Sequence, residues 1–335
     1  MKRLNNLYRL ISDYDNIASA FHKAARGKGR NKYVIDFLNS YDHNIRKIKQ
    51  DIESKNVDVG NYHFFLIHDP KPRMICAASF SERVLHHAIM NIIEPRLEKF
   101  AIYDSYACRK GKGSHKAIAR AQEFSRKSSW YLKLDIARYF DSIDHNIMIS
   151  LLAKRFKDPD LILVLQKVFE TYHTNPGKGV PIGNLISQHL ANFYLGHLDH
   201  WIKETRKIKF YARYMDDFIL FANEKKILKS ELIEIKIFLK KYLELQLKEN
   251  QIQLNHCSRG FPFLGYRVFP EKILLSPRSK KRFQRKFKEY QYKWKTEKWS
   301  LAELNQHMGP LIEFTKLADA GAFRQRVIDR FGVSS

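Results

Sequence analysis

The chain has 335 residues, of which 44% are apolar, so it can bury one large hydrophobic core or two smaller ones. Lysine and arginine total 60 against 35 aspartate and glutamate residues, a formal net charge of +25 at pH 7. An excess of positive charge spread along the chain indicates a polyanionic partner, most simply a nucleic acid. A basic protein without such a partner stays as the alternative.

Composition also restricts where the protein works. No apolar run approaches the roughly 18 residues that span a bilayer, and the first residues are too polar for a signal peptide, so we expect no membrane attachment. The three cysteines, Cys76, Cys108 and Cys257, lack the spacing of a metal site. Unpaired cysteines of this kind are typical of a reducing compartment, and we therefore expect a cytoplasmic protein.

Hydrophobic periodicity predicts mainly helices in the first hundred residues, with a basic, glycine-containing loop at 26–32. The predicted elements are helices over 4–25, 37–52 and 81–100 and extended segments over 62–68 and about 71–80.

The middle of the chain alternates strands with helices. Its predicted elements are a buried strand within 130–140, helices over 156–171, from about 185 and over 227–247, a hairpin over 210–221 and a strand or small hairpin over 261–269. This alternation predicts an α+β fold in which a small sheet is backed by helices. The stretch from about 276 has no strand signal and is predicted to be a separate helical unit.

Two adjacent aspartates, Asp216 and Asp217, interrupt the otherwise apolar or aromatic stretch RYMDDFILF (213–221). Burying a carboxylate without a partner is costly, so an exposed turn, a basic partner or a metal ion must offset that cost. Asp135 ends a short apolar strand that can lie beside this hairpin. A simple turn or cap role remains the alternative for each aspartate.

Three carboxylates brought together favour Mg²⁺, a hard cation that prefers oxygen ligands. Two such ions about 3.5–4 Å apart form a clamp for phosphoryl transfer. The sequence therefore predicts a site for two Mg²⁺ ions, for which Mn²⁺ can substitute.

The segment YMDD between apolar strands resembles the catalytic signature of reverse transcriptases. Five further segments continue this resemblance in chain order over about residues 60 to 270. They are KPRMI (71–75), YACRKGKGSHKAI (106–118), LKLDIARYFDSIDH (132–145), GVPIGNLISQHLANFYL (179–195) and FLGYRV (263–268).

The resemblance implies a right-hand polymerase with three parts. These are fingers with N-terminal helices over 1–125, a palm over 126–270, in which 141–185 is partly a fingers/palm insertion, and a helical basic thumb over 271–335. It also implies an RNA-directed DNA polymerase that uses template RNA, a DNA or RNA primer and deoxynucleotide triphosphates.

The resemblance further assigns roles to individual residues. The metal ligands and catalytic residues would be Asp135, Asp216 and Asp217, with the backbone carbonyl of Ile136 as a further ligand. Arg73, whose guanidinium can fork onto phosphate oxygens, would reach the triphosphate. Phe140 lies where the family places an aromatic residue that blocks a ribose 2′-hydroxyl.

Primer and template contacts are expected near the aspartate pair and in the thumb. Tyr214, Met215 and Gly265 would contact the primer or template. The segment 276–299 carries ten Lys or Arg against two Glu, and such a charge imbalance suits nucleic-acid phosphates. The expected phosphate contacts are Lys280, Lys281, Arg282, Arg285 and Lys286.

Apolar spacing predicts how the thumb packs. Phe283, Phe287, Tyr290 and Trp294 recur at helical spacing and are predicted to form a packing surface. Ser300 and Glu303 fit a capping box at the start of the next helix. Gly309-Pro310 is predicted to separate that helix from a final one.

The pocket segment departs from most of the family. Where most members carry Gln-Gly and then Ser-Pro, this chain reads Ile182-Gly183 and Ser187-Gln188. This form resembles the reverse transcriptases of diversity-generating retroelements, which make cDNA with frequent errors opposite adenine. That resemblance implies nucleotide-pocket roles for Ile182 and Gln188, and a small basic accessory protein oligomer as partner.

A second departure concerns the lysine that many members carry after the palm helix. The nearest aligned place reads Gln251, with Lys248 close by. Two other functions stay open: another bacterial reverse transcriptase, of the phage-defence or group II intron type, and a degenerate polymerase fold that only binds RNA.

Overall fold

The computed structural model describes residues 6–68 and 72–332. Its α-helices are α1 (Tyr8–Ile11), α2 (Tyr14–Ala25), α3 (Lys32–Asn39), α4 (Tyr41–Glu53), α5 (Phe80–Phe100), α6 (Ser114–Arg126), α7 (Tyr139–Ser142), α8 (His145–Arg155), α9 (Pro159–Glu170), α10 (Leu185–His200), α11 (Lys225–Leu243), α12 (Pro277–Lys295), α13 (Leu301–Lys316) and α14 (Gly321–Phe331). Its strands are β1 (Tyr62–Ile67), β2 (Arg73–Ala78), β3 (Trp130–Asp135), β4 (Phe210–Tyr214), β5 (Asp217–Ala222), β6 (Gln253–His256), β7 (Phe261–Phe263), β8 (Tyr266–Val268) and β9 (Ile273–Leu275).

Two predicted N-terminal helices are each divided in the structure. The side chain of Asp13 accepts hydrogen bonds from Asp15 N and Asn16 N, and so begins α2 rather than continuing α1. Ser40 interrupts the second predicted helix between α3 and α4, with a backbone conformation outside the helical region. Apolar periodicity continued through both breaks and therefore hid them. Leu4 and Lys71, which belong to predicted segments, lie outside the described residues.

The chain divides into two compact units made of discontinuous segments. The first comprises Met1–Arg109, Ile136–Lys207 and Ile233–Lys248, and the second comprises Lys110–Asp135, Ile208–Leu232 and Glu249–Ser335. Both mix helices with antiparallel strands, as the α+β prediction requires.

In the first unit, the N-terminal helices pack on the long helix α5 around an aromatic cluster. The rings of Phe21 and Phe37 stack with centroids 5.2 Å apart, and Phe80 meets both rings edge-on. The strands β1 and β2 of this unit pair antiparallel as a two-stranded sheet. The apolar side chains of β1 from Phe64 to Ile67 are exposed.

The second unit contains the main sheet, in which neighbouring strands follow the order β4-β5-β3-β6. Every pairing in it is antiparallel. The hairpin β4–β5 was predicted, whereas β6 was not, because its polar sequence QLNH is half-buried and lacks an apolar pattern. The strands β7, β8 and β9 form a separate antiparallel meander.

The last three helices, α12 to α14, share a small core, which confirms the predicted packing role of the aromatic stripe. Phe283 and Phe287 are buried against Leu304, Met308 and Val327.

The predicted capping box is present at Ser300 and Glu303. The predicted break at Gly309-Pro310 is wrong, because α13 continues to Lys316 with Pro310 inside it. The helix ends instead at Lys316, with Leu317 as its C-cap residue. Among the residues described, no helix is both long and apolar enough to cross a bilayer.

Candidate active site

The aspartate pair lies at the tip of the β4–β5 hairpin, as the sequence predicts. Met215 occupies the left-handed region of the backbone map at φ +58°, and Asp217 is the first residue of β5. The guanidinium of the fully buried Arg213 donates a hydrogen bond of 2.8 Å to the carbonyl of Met215. This bond fixes the turn that presents Asp216 and Asp217.

The strand of Asp135 pairs with that hairpin, which confirms the expected neighbourhood. In the antiparallel register of β3 and β5, Asp135 is opposite Asp217. Tyr214 of β4 is opposite Asp217 as well. Residues directly opposite one another project from the same face of a sheet, so these three side chains share a face. Asp135, Asp217 and Tyr214 are each only half-buried.

A buried lysine, which sequence reasoning missed, belongs to the same face. Lys133 precedes Asp135 by two residues in β3, and its Nζ lies 2.8 Å from Asp217 Oδ1. Asp217 Oδ1 nevertheless makes no hydrogen bond of good geometry. The spacing of two residues in a buried strand was the signal for this lysine, because alternate residues of a strand point the same way.

The surroundings of Asp217 disfavour the charged form of its carboxyl group. Burial is the main cause that raises the pKa of Asp217 to about 6. The ammonium of Lys133 opposes this effect, while Asp135 and Asp216 add to it by repulsion. A cation beside these carboxylates would stabilise their ionised forms.

The predicted metal site is supported by its donor chemistry more than by its present geometry. Within 6–68 and 72–332, no three His, Cys, Asp or Glu side chains are gathered closely enough to hold a metal ion. Carboxylate oxygens are nevertheless the ligands that Mg²⁺ prefers, and a cation would oppose the effect that burial has on the carboxyl group of Asp217. The residues present thus fit such ions in the type of donor atom, while their side chains are not gathered around one point. Ile136, whose carbonyl was expected to contribute, begins a segment of the first unit.

The residues predicted to contact the nucleotide all belong to the first unit. Two of the segments that carry them are hydrogen-bonded to each other. Arg73 is exposed at the start of β2. The carbonyl of Ile182 accepts a hydrogen bond of 2.8 Å from Cys76 N, so the pocket segment extends the edge of β2. Gly183, at φ +114°, permits this approach, since a Cβ there would come within 2.8 Å of the Ile75 side chain.

Phe140 and Gln188 occupy separate positions in the same unit. Phe140 is half-buried in the short helix α7, and its carbonyl accepts a hydrogen bond from Val180 N. Gln188 lies in the first turn of α10, where its Oε1 accepts a contact of 3.6 Å from Cys108 Sγ. Asn184, which sequence reasoning did not single out, accepts a hydrogen bond from Ala78 N and so ties this segment to β2.

The expected primer and template residues of the second unit lie at a tight turn and along α12. Leu264 and Gly265 both have positive φ, +48° and +91°, as a hairpin turn with two left-handed residues requires. The carbonyl of Gly265 accepts hydrogen bonds from Ser276 N and Ser279 Oγ, which anchors this turn to the start of α12. The predicted basic residues lie along α12 and are exposed except for the half-buried Lys286; the others are Lys280, Lys281, Arg282 and Arg285.

A second basic group was missed because its members are distant in the sequence. Lys28 follows α2, while Arg83 and His87 lie one helical turn apart on α5. Arg83 Cζ is 5.3 Å from the centroid of the Phe80 ring, and Arg83 Nε is buried without a hydrogen-bond partner. Burial is the main cause that lowers the pKa of His87, and the charges of Lys23, Lys28 and Arg83 lower it further. The 26–32 loop therefore adds to a basic surface of the first unit.

A family model described as reverse transcriptase (RNA-dependent DNA polymerase) matches residues 67–268. The match covers more than half of the chain, which therefore belongs to the reverse transcriptase family. The apo telomerase of Candida tropicalis has a similar fold, with a TM-score of 0.53 at 13% identity, over 82% of this chain and 60% of that one.

Proteins with similar sequences include bacterial and intron-encoded proteins. Protein YkfC of Escherichia coli K12 is 23% identical over 81% of this chain and 84% of its own length. The group II intron-encoded protein LtrA of Lactococcus lactis is 22% identical over 59% of this chain and 44% of its own length. The putative COX1/OXI3 intron 2 protein of Saccharomyces cerevisiae is 22% identical over 80% of this chain and 38% of its own length. This chain thus spans less than half of both intron proteins.

Proposed function

We propose that this protein is an RNA-directed DNA polymerase that extends a DNA or RNA primer with deoxynucleotides on an RNA template. One observation carries the proposal: Asp135 is opposite Asp217, beside Asp216, within the region that matches the reverse transcriptase family. The net charge of +25 supports a nucleic-acid substrate.

In this proposal Asp135, Asp216 and Asp217 hold two Mg²⁺ ions. When bound, such ions supply positive charge to the attacking 3′-hydroxyl and to the leaving pyrophosphate. Arg213 holds the carbonyl of Met215 and so keeps the turn in one conformation. Lys133 restrains the carboxylate of Asp217.

The residues of the first unit are assigned to the incoming nucleotide. Arg73 contacts its phosphates, since a guanidinium offers two parallel donors to phosphate oxygens. Phe140 excludes a 2′-hydroxyl by its bulk and so selects deoxynucleotides. Ile182 and Gln188 line the base-pairing side of the site. The basic residues of α12 and the group around Arg83 bind phosphates of the template and primer.

Primer extension tests this function directly. A labelled primer annealed to an RNA template should be extended only when deoxynucleotides and Mg²⁺ are both present. Addition of EDTA should stop the reaction, and addition of Mn²⁺ should restore it. Binding of the primer–template without any extension, under all these conditions, would instead support the degenerate RNA-binding fold.

The finer proposal is that the polymerase serves a diversity-generating retroelement and copies adenines with frequent errors. Support comes from Ile182 and Gln188, which replace residues that most of the family carries. A small basic accessory protein oligomer and a structured template RNA belong to this proposal. The neighbouring DNA tests it, because a pair of near-repeats that differ mainly at adenines is expected.

A second candidate is a reverse transcriptase of the group II intron type, which the similarity to LtrA favours. The two candidates differ in fidelity. The intron type is expected to make errors that do not concentrate opposite template adenines. Sequencing of cDNA made from one RNA that contains all four bases equally would separate them.

A further inference from the structure

A cavity with a volume of about 530 Å³ lies within the first unit, between α8, α10 and α11. None of the residues assigned above lines it. Its apolar walls are formed by Ile147 and Leu151 of α8 and by Phe238, Tyr242 and Leu243 of α11. Pockets that hold small molecules have volumes of about 300–1,000 Å³ and mostly apolar walls. The cavity therefore has the size and lining of a small-molecule site.

One wall of the cavity is an aromatic surface held in a fixed orientation. The Phe238 ring stacks on Trp201, with centroids 4.6 Å apart and an angle of 26° between the planes. The ring centroid of Tyr242 lies 5.0 Å from that of Phe238. Because 53% of Tyr242 is exposed, a ligand can reach this wall from solvent. Such a surface favours a planar aromatic ring.

The remaining lining residues are polar, and none is acidic. They are Asn146, Ser150 and Lys154 of α8 and His197 of α10. Lys154 makes no ion pair with any carboxylate of the described chain, and His197 Nε2 is buried without a hydrogen-bond partner. That atom is enclosed, with the His197 ring between Phe100 and Phe193, so Lys154 is the charged group of this lining that a ligand can reach.

The surroundings of His197 are positively charged. Burial is the main cause that lowers the pKa of His197 to about 4. His200, Lys154 and Arg155 lower it further, against the opposing effect of Asp199. His197 is therefore neutral at pH 7, and an anionic group beside Lys154 would meet a favourable electrostatic field.

We propose that this cavity binds a small molecule that combines a planar aromatic ring with an anionic group. The ring packs against Phe238 and Tyr242, and the anionic group pairs with Lys154. This site is separate from the polymerase residues and does not depend on the proposed function.

Two fluorescent probes that differ mainly in charge test the proposal. They are 8-anilinonaphthalene-1-sulfonate, which is anionic, and N-phenyl-1-naphthylamine, which is not. Binding to the full chain is measured without nucleic acid or divalent ions, so a failure of the polymerase proposal leaves the test intact. Lys154→Met should lower the affinity for the anionic probe about tenfold and the affinity for the neutral probe less than about twofold. Tyr242→Ala should lower the affinity for both probes about fivefold or more.

Matched substitutions elsewhere in the same unit control for general effects. Lys47 and Tyr33 are exposed residues of α4 and α3, so Lys47→Met and Tyr33→Ala should change neither affinity. Equal losses for both probes in Lys154→Met, or equal losses in the control variants, would overturn the proposal.

Competition then identifies the source of the anionic group. Displacement of the sulfonate probe by AMP would indicate a nucleotide phosphate, and displacement by indole-3-acetate alone would indicate an aromatic carboxylate. Both results support the site. Displacement by neither compound would contradict it.

Discussion

At the scale of single residues, Ile182 provides the sharpest prediction about copying. Where glutamine usually stands, an amide can hydrogen-bond the incoming nucleotide or the template base, whereas isoleucine offers no such bond and is stiff at χ1. An apolar wall discriminates by only about 1–3 kcal/mol. We therefore expect Ile182→Gln to make fewer errors opposite adenine, whose pair has only two hydrogen bonds, and to change little elsewhere.

The measurement is to copy one adenine-rich RNA with both enzymes and count cDNA errors by template base. The backbone contact of Ile182 with Cys76 uses its carbonyl and is kept in the variant. Identical error spectra would show that Ile182 only packs beneath the nucleotide site.

Glu82 predicts how the stability of the fold depends on pH. The residue is 1% exposed, and burial is the main cause that raises the pKa of its carboxyl to about 7. The unfolded chain releases this proton near pH 4.5, so the folded wild type loses stability between about pH 4.5 and 7, and no further above. Glu82→Gln has no such proton and should gain on the order of 1–2 kcal/mol relative to wild type across that range.

Urea unfolding at several pH values from 5 to 8 measures this difference. His86 lies beside Glu82, with 3.5 Å between His86 Nε2 and Glu82 Oε1, and is present in both proteins. Glu53→Gln, at an exposed end of α4, serves as the control. Parallel stability curves for wild type and Glu82→Gln would contradict the proposed titration.

At the scale of elements, the basic face of α12 predicts a salt-dependent interaction with nucleic acid. Replacing Lys280, Lys281, Arg282, Arg285 and Lys286 by glutamine should weaken primer–template binding. The slope of log affinity against log salt should also flatten, by roughly 0.7–0.9 for each phosphate that the helix no longer neutralises.

A variant that loses five positive charges from α11 controls for net charge. The lysines replaced in it are those at 225, 226, 229, 240 and 241, which are all exposed. If both variants flatten the slope equally, the effect belongs to total charge and α12 has no special path for phosphates.

The turn between β7 and β8 predicts a difference between two glycines. Gly265 has φ +91°, and a Cβ there would come within 3.1 Å of Ser279 Oγ and 3.2 Å of Phe314 Cζ. Gly265→Ala should therefore lower stability by about 1–3 kcal/mol. Gly309 lies inside α13 with open space around it, so Gly309→Ala should raise stability by about 0.5–1 kcal/mol. Thermal unfolding that ranked the two variants in the opposite order would contradict this turn geometry.

The same elements show what the sequence could predict. The β4–β5 hairpin and α10 were predictable because apolar patterning and turn residues agree there. The break at Ser40 and the strand β6 were not, since periodicity runs through the first and the second is polar. The predicted break at Pro310 was wrong, because a helix whose apolar face packs on α12 tolerates one missing hydrogen bond. Lys133 had a sequence signal in its two-residue spacing from Asp135, whereas the role of Arg213 became visible only from its hydrogen bond to the Met215 carbonyl.

At the scale of the whole molecule, the residues assigned to catalysis and those assigned to nucleotide binding belong to different units. The sheet that carries the three aspartates belongs to the second unit together with α12 to α14, whereas every proposed nucleotide contact belongs to the first. The division into fingers, palm and thumb stays a prediction, because both units are made of segments that are discontinuous in the sequence.

The most direct test of the polymerase account is single-turnover incorporation of one nucleotide by Asp216→Asn on an RNA template. The variant lacks one of the three carboxylates, and a metal clamp contributes several kcal/mol to the transition state. We predict a rate at least about a thousandfold below that of wild type, with primer–template affinity and thermal stability nearly unchanged. Asp36→Asn, at an exposed position of α3, should keep the wild-type rate. Normal incorporation by Asp216→Asn would contradict the assignment of this hairpin as the catalytic site.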